Sequence, residues 1–369
     1  MALTNFANLT DNEKVVWKRD LWRESRNAQF LAPNIGTSNN SMIQRITELT
    51  KTEKGDKAII TLVHDLEGDG VAGDRTLEGN EEAGTQSDIT ITIDQLRHAS
   101  RHEGRMAEQR SVVTFRENAL NTLAYWLADR FDQMAFLTLS GVSYAKHTDG
   151  RDRVGSDLPF LEFAGDVSAP TANRYARWDA TGGLLINGSN ADLTTADTPT
   201  WNMFIEVKSF MEENFITPLR GEGGKAMYMV FITPTAFGKL KQDQRFHEAW
   251  RDAMPRSASN ELFKGMSEAV IDGLVIRSYR HVFNTRRATA PNKFGASGDV
   301  DGCRMLFCGA QALAYADIGE PEWIEKGFDY DNQQSIATGK IAGFRKPKFK
   351  SVGTGTVEDF GVFAVDVAQ

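Results

Sequence analysis

From Arg105 to Leu139 the chain carries neither proline nor glycine, and Val113, Leu120, Leu123, Leu127, Phe131 and Met134 recur at three- and four-residue steps. That period is the apolar stripe of a helix, so the sequence predicts one uninterrupted helix over residues 105–139, ending before Gly141. At 1.5 Å per residue such a helix is about 50 Å long. This suits a structural spine better than an element of a small enzyme.

Upstream, "KAIITLV" and "DITITIDQL" flank an acidic, glycine-rich stretch, His64 to Gly84. Ile89, Ile91 and Ile93 alternate with Thr90, Thr92 and Asp94, the period of two of a half-buried strand. The two runs predict a long hairpin with a projecting tip. Gly68, Gly70 and Gly73 have the G-x-G-x-x-G spacing of a dinucleotide loop. No periodic helix follows them, however, and seven carboxylates (Asp65, Glu67, Asp69, Asp74, Glu78, Glu81 and Glu82) stand against the single Arg75. A pyrophosphate would be repelled. Asp65, Glu67, Asp69 and Gly70 match the opening of a calcium loop, but Thr76 occupies the position of the closing Glu, which leaves only a weak surface cation site open.

The remainder reads as α+β without internal repeats. A helix is expected at "TWNMFIEVKSFMEENF", then strand "AMYMVFI", helix "PTAFGKLKQD", strands "LVIRSYRHVF" and "RMLFCG", helix "AQALAYADI" and a final strand "FGVFAVDVA". Residues 141–199 read as irregular loops. The N-terminal segment, with Val15, Val16, Trp17, Leu21, Trp22 and Phe30 among many charges, reads as an amphipathic arm that needs a partner surface.

Several kinds of chemistry are disfavoured. Cys303 and Cys308 sit an odd distance apart in one strand, so they face opposite ways and do not bridge. His98 and His102 would share one face of a helix as metal ligands, but if the strand-like run before them continues they lie too far apart for one metal, and they read as surface histidines beside Arg97 and Arg101. "GEGGKA" has Leu219 where a P-loop needs its first glycine and Ala226 where it needs Ser or Thr. No catalytic residue, cofactor or metal is expected. With a net charge of −8 and no apolar run near membrane length, the chain is expected to be made in the cytoplasm and to avoid membranes. Within that acidic balance, "SYRHVFNTRRATAPNK" fits a subunit contact better than a nucleic-acid strip. "GKIAGFRKPKFKS" stands out for Lys340, Arg345, Lys346, Lys348 and Lys350 with no acid.

The block "LEGDGVAGDRTLEGNEE", followed by "ITIDQLRHASRHEGRMAEQR" and the helix to "LSG", resembles the major capsid proteins of tailed double-stranded-DNA bacteriophages, in the group with the N-four-like coat protein. The resemblance implies a Hong Kong 97-type capsid fold. Its parts would be an N-terminal arm (1–54), an extended hairpin loop (55–104), a peripheral domain with the spine helix (105–198), an axial domain (199–330) and terminal strands returning to the peripheral domain (331–369). It implies a non-enzymatic subunit that self-assembles into pentamers and hexamers of an icosahedral shell enclosing double-stranded DNA. It also implies a virion location after synthesis in a host cytoplasm. Expected partners are other copies of the chain, a portal and a separate scaffolding protein, and a cementing protein is left open. The acidic tip would then reach over a neighbour, with Glu78, Glu81 and Glu82 facing Arg345, Lys346 and Lys348 across the boundary. An encapsulin-like compartment and a nucleotide-dependent enzyme using the Gly68–Gly73 loop remain the alternatives.

Overall fold

Strand Ala226–Ile232 is apolar at every position. A strand of that kind is stable only where both faces are covered. In the computed structural model it lies within an eight-stranded sheet ordered Ala269–Ile271, Leu274–Ser278, Ala226–Ile232, Gly302–Cys308, Val362–Ala368, Tyr175–Asp179 and Gly183–Ile186, with Leu219–Arg220 as an extra partner of Ala226–Ile232. The structure describes residues 20–21, 23–25, 28–47, 55, 57–63, 68–82, 86–110, 114–221, 224–253, 269–351 and 355–369.

Alternate residues of this sheet belong to different cores. Tyr228, Val230, Ile232, Cys303, Met305, Phe307, Phe363 and Val365 pack with Met203, Phe204, Phe237 and Phe246 from the helices Trp201–Glu213, Pro234–Leu240 and Gln244–Ala253. Phe231, Leu306, Cys308, Val362 and Ala364 pack instead with Leu123, Leu127, Phe131 and Phe136 of the spine helix, Phe115–Ser140. The two cysteines therefore lie in opposite cores, and both are free.

The spine helix also covers a second sheet of six strands. Its order is Ile35–Gly36, Ile43–Ile46, Leu313–Asp317, Gln333–Arg345 and Glu322–Phe328, with Asp94–Arg101 also paired to Gln333–Arg345. Phe131 meets Tyr315 and Phe344 edge-on at 6.2 and 5.7 Å between ring centroids. One helix thus joins two sheets, and from Phe131 to Ser140 every residue is buried. At its end Gly141 takes a left-handed conformation (φ 67°), and Val142 N–H donates to the Leu137 carbonyl, a Schellman closure. Any side chain at Gly141 would meet the Ser168 carbonyl at 2.5 Å. The guanidinium of Arg304 caps the same end by donating to the Ser140 carbonyl at 2.8 Å, while it grips buried Asp366 at 2.7 and 2.9 Å.

The structure corrects several sequence expectations. The predicted spine of residues 105–139 is two helices, Arg105–Arg110 and Phe115–Ser140, and the second spans about 39 Å. Thr114 is extended at the second helix's N-cap, and its hydroxyl donates to Glu117 at 2.9 Å. Thr114-x-x-Glu117 is a start signal that unbroken periodicity masked. Val113 lies outside the described residues. The helix expected at 310–318 is the buried strand Leu313–Asp317. Leu313 and Tyr315 face the spine-helix core while Ala314 and Ala316 face the base of the hairpin. The alternation of large and small residues has period two, and the helix propensity of alanine yields to it.

Residues 141–199 are not all loop, since they supply Tyr175–Asp179 and Gly183–Ile186 to the larger sheet. The strand expected at "LVIRSYRHVF" stops at Ser278. The stretch 331–369 divides between the sheets, with Gln333–Arg345 in the six-stranded one and Val362–Ala368 inside the eight-stranded one. The arm does not wait wholly for a partner surface either. Leu21 is fully buried and Phe30 packs on the spine-helix core of its own chain, whereas Val15, Val16, Trp17 and Trp22 lie outside the described residues.

Leu127 is 1% exposed in the core that serves both sheets. Leu127→Asp is expected to destabilise the chain by about 3 kcal/mol or more. Urea unfolding of the purified variant checks this, and wild-type stability with normal solubility contradicts the assignment of the buried face.

Candidate assembly surfaces

The predicted hairpin is present. Lys57–Val63 pairs with Gln86–Thr92 in antiparallel register from Lys57 opposite Thr92 to Val63 opposite Gln86. Ile89 and Ile91 are buried at its base and Ile59 is exposed, so one face is anchored and the other is open. After Ile93 the chain leaves the hairpin, and Asp94–Arg101 joins the six-stranded sheet. His98 is exposed and stacks on Trp126, while the His102 Nε2 accepts the Gln334 N–H at 3.1 Å.

The tip cannot cradle a phosphate as it stands. The Gly68 N–H donates to Glu82 Oε2 and the Gly79 N–H to Glu81 Oε2, each at 2.7 Å, so carboxylates hold backbone donors that a nucleotide would need. No helix follows Gly73 among the described residues 68–82. Asp65 and Glu67, of the calcium-loop pattern, lie outside the described residues. Glu78, Glu81 and Glu82 are exposed, as is Leu77.

The basic segment differs from its appearance in the sequence. Lys340 is buried in strand Gln333–Arg345 with its Nζ 2.9 Å from Asp317, a carboxylate that Arg45 also reaches at 2.6 Å. Lys346 is 2% exposed and its Nζ lies 3.0 Å from Asp359. Burial holds its pKa below the ordinary lysine value, against the pull of Asp359. Arg345 bonds to the Thr90 carbonyl and pairs with Asp166 at 3.2 Å. Lys348 approaches Asp359 at 4.0 Å and is half-buried, and Lys350 is exposed. Lys346 is therefore not a surface group. The segment's charge is mostly balanced by acids outside it, Asp166, Asp317 and Asp359, which inspection of the segment alone could not reveal.

A second concentration of charge surrounds a polar cleft of ≈ 590 Å³ between the spine helix, the loop 147–151, the start of helix Pro234–Leu240 and residues 280–287. Its floor is a hydrogen-bonded cluster: Asp129 Oδ1 lies 2.7 Å from His281 Nε2 and 2.9 Å from Arg280 Nη2, and His281 Nδ1 is 3.2 Å from the Thr148 hydroxyl. Burial acts to raise the Asp129 pKa, but the hydrogen bond and charge of His281, with Arg130 and Arg280, outweigh it and hold the carboxyl below its ordinary value. Arg280, Arg286 and Arg287 come from the "SYRHVFNTRR" run.

Beneath this cleft Asp132 fastens the arm. Its carboxylate accepts the Phe30 N–H at 2.8 Å, the Leu31 N–H at 3.3 Å and the Tyr279 hydroxyl at 3.0 Å. Phe30 lies flat on Tyr279, with 3.9 Å between ring centroids. The period of the helix marks Asp132 only as a polar residue, and nothing local in sequence ties it to Phe30.

The sequence pattern of the family described as phage capsid protein matches residues 5–369. The chain is 53% identical over 367 residues to a major capsid protein of Pseudomonas phage KPP25, covering 99% of this chain and 97% of that one. The chain belongs to the phage capsid protein family. Among solved structures it is similar to the capsid of Ralstonia phage GP4, with a TM-score of 0.74, 25% identity, and 92% and 91% of the two chains covered. It shares its fold with the cyanophage Pam1 capsid asymmetric unit at a TM-score of 0.69 and 19% identity, over 100% of this chain and 96% of that one. The Hong Kong 97-type fold expected from the resemblance is the fold of this phage capsid protein. The relatives named here are phage capsid proteins, and none is an encapsulin-like compartment or a nucleotide-dependent enzyme.

The arm's anchor in this capsid protein is sensitive to pH. Burial pushes the Asp132 carboxyl from 3.8 up to about 6, against the opposing Phe30 N–H, Tyr279 hydroxyl, Leu31 N–H and the charge of His281. With the folded value raised, the native state holds the extra proton between these values. The associated stability is fully present below 3.8 and is lost as pH rises through about 6. Asp132→Asn removes this dependence. Between about pH 4 and pH 7 the wild type should lose about 2–3 kcal/mol relative to the variant. Urea unfolding at both pH values measures the difference, and parallel profiles contradict it.

Proposed function

We propose that this chain is the major capsid protein of a tailed bacteriophage, a virion component whose copies form pentamers and hexamers of an icosahedral shell around double-stranded DNA. The observation that carries this is the 53% identity to a phage major capsid protein over nearly the whole of both chains. The architecture supports it physically. A hairpin that leaves the body with an exposed outer face and an acidic tip gains its stability from neighbours in a lattice of identical subunits.

In this reading residues 1–54 serve as the arm and 55–104 as the extended loop, 105–198 and 331–369 form the peripheral domain and 199–330 the axial domain, although Asp94–Arg101, Leu313–Asp317 and Glu322–Phe328 share one sheet with Gln333–Arg345 across these bounds. The spine helix joins these two domains. A portal, a separate scaffolding protein and the enclosed DNA are the expected partners, and the resemblance leaves a cementing protein open. A net charge of −8 suits a container whose lining must release its duplex. Glu78, Glu81 and Glu82 form the projecting side of the contact between subunits. Of the basic residues matched to them by sequence, Arg345 and Lys348 keep part of their side chains at the surface and Lys346 does not.

The purified protein is expected to convert to fast-sedimenting particles in sedimentation velocity. A persistent monomer under all salt and concentration conditions tested contradicts the proposal. The shell is further expected to be held without covalent links from the hairpin, because no lysine lies between Lys57 and Lys146 and the tip has no amine to offer. Denaturing electrophoresis of mature particles should give one band near 41.0 kDa, and a ladder of boiled, reduced multimers overturns this.

A further inference from the structure

We infer that the arginine-lined cleft is a carboxylate receptor that takes the acidic hairpin tip of a second copy of this chain. The inference rests on the reading of the chain as a shell subunit and names the surface that receives the tip.

The cleft has donors in excess of its own acceptors. Arg151, Arg280, Arg286 and Arg287 line it against two side-chain carboxylates, Asp129 and Asp149. Both carboxylates are already engaged, Asp129 by His281 and Arg280, and Asp149 by Arg151 at 2.8 Å. The Arg287 guanidinium has only a long contact, 3.8 Å, to Asp149. Arg286 is exposed and makes no ion pair or side-chain hydrogen bond among the described residues. Gln369 also lines the cleft, and its Oε1 accepts the Thr233 hydroxyl at 2.7 Å. Planar guanidinium groups bind carboxylates in paired hydrogen bonds.

The charge and size of the cleft select the occupant. A duplex gains affinity by having many phosphates neutralised at once. Here one unpaired arginine, Arg286, and one loosely paired, Arg287, sit beside two side-chain carboxylates in a chain of net charge −8, and a hollow of ≈ 590 Å³ admits side chains rather than a helix of DNA. The tip of the same chain is the complementary object. It carries Asp69, Asp74, Glu78, Glu81 and Glu82 within the described residues 68–82, stands exposed, and does not line the cleft of its own chain. Three of the four arginines, Arg280, Arg286 and Arg287, also come from the segment whose composition already favoured a subunit contact. By contrast, the Lys340–Lys350 segment has placed Lys340 and Lys346 inside its own fold.

Charge exchange in the full chain tests the assignment. E81K/E82K and R286E/R287E should each reduce shell yield by about tenfold at low ionic strength and by less at high salt. Together, the four changes should restore most of the loss. Recovery no better than the weaker parent overturns the inference, as does recovery obtained with K348E/K350E instead. So does normal assembly of R286E/R287E with impaired retention of DNA, which would make phosphate the ligand. If the charge-reversed chains do not fold, hydrogen exchange of the wild type decides. Residues 68–82 and 280–287 should both gain protection on going from subunit to shell, and an unprotected cleft within an assembled shell overturns the inference. Those outcomes leave the shell-subunit reading intact, whereas a wild type that never forms shells removes both.

Discussion

The structure depends on a sheet that is dry on both faces. Alternate residues of Gly302–Cys308 and Val362–Ala368 enter two different cores, so neither face can turn to water without exposing a full layer of apolar side chains. Helices Trp201–Glu213, Pro234–Leu240 and Gln244–Ala253 cover one face, and the spine helix covers part of the other while reaching across to the six-stranded sheet. Arg304 binds this arrangement together, since one guanidinium joins Asp366 in the sheet centre to the Ser140 carbonyl at the end of the spine helix. With the body fixed in this way, the hairpin and the arm are free to project or to dock.

What was legible in the sequence was whatever left a local period. The hairpin strands alternate residue by residue, which reveals both of them, as apolar runs reveal Ala226–Ile232 and Val362–Ala368, but the alternation does not mark Ile93, where the chain passes to the other sheet. Leu313–Asp317 was misread because its alternation pairs alanine with larger residues, and alanine suggests helix when its neighbours are unknown. The break at Thr114 was hidden by a longer-range helical stripe. Most of the candidate site was not legible, because its groups meet across the fold. Phe30 reaches Asp132 over a separation of 102 residues and Arg280 reaches Asp129 over 151.

Charge shows the same limit. Read along the chain, Lys340 to Lys350 is a one-sided basic run. Folded, two of its lysines are interior counter-ions to Asp317 and Asp359, and removing either partner would leave the other charge buried and unpaired. The arginines of residues 280–287 stay near the surface beside a cluster that holds Asp129 ionised. The family resemblance gave the function of the chain, and the burial of particular cations determines which of its surfaces remain available to a neighbour.

In the proposed shell a neighbouring copy completes each subunit's hairpin. The most direct measurement is an electron-microscopic reconstruction of particles assembled from the purified chain. The account predicts closed shells in which the Lys57–Val63 and Gln86–Thr92 strands cross a subunit boundary. Particles in which every hairpin folds back on its own subunit, or a protein that stays a compact monomer, would contradict it.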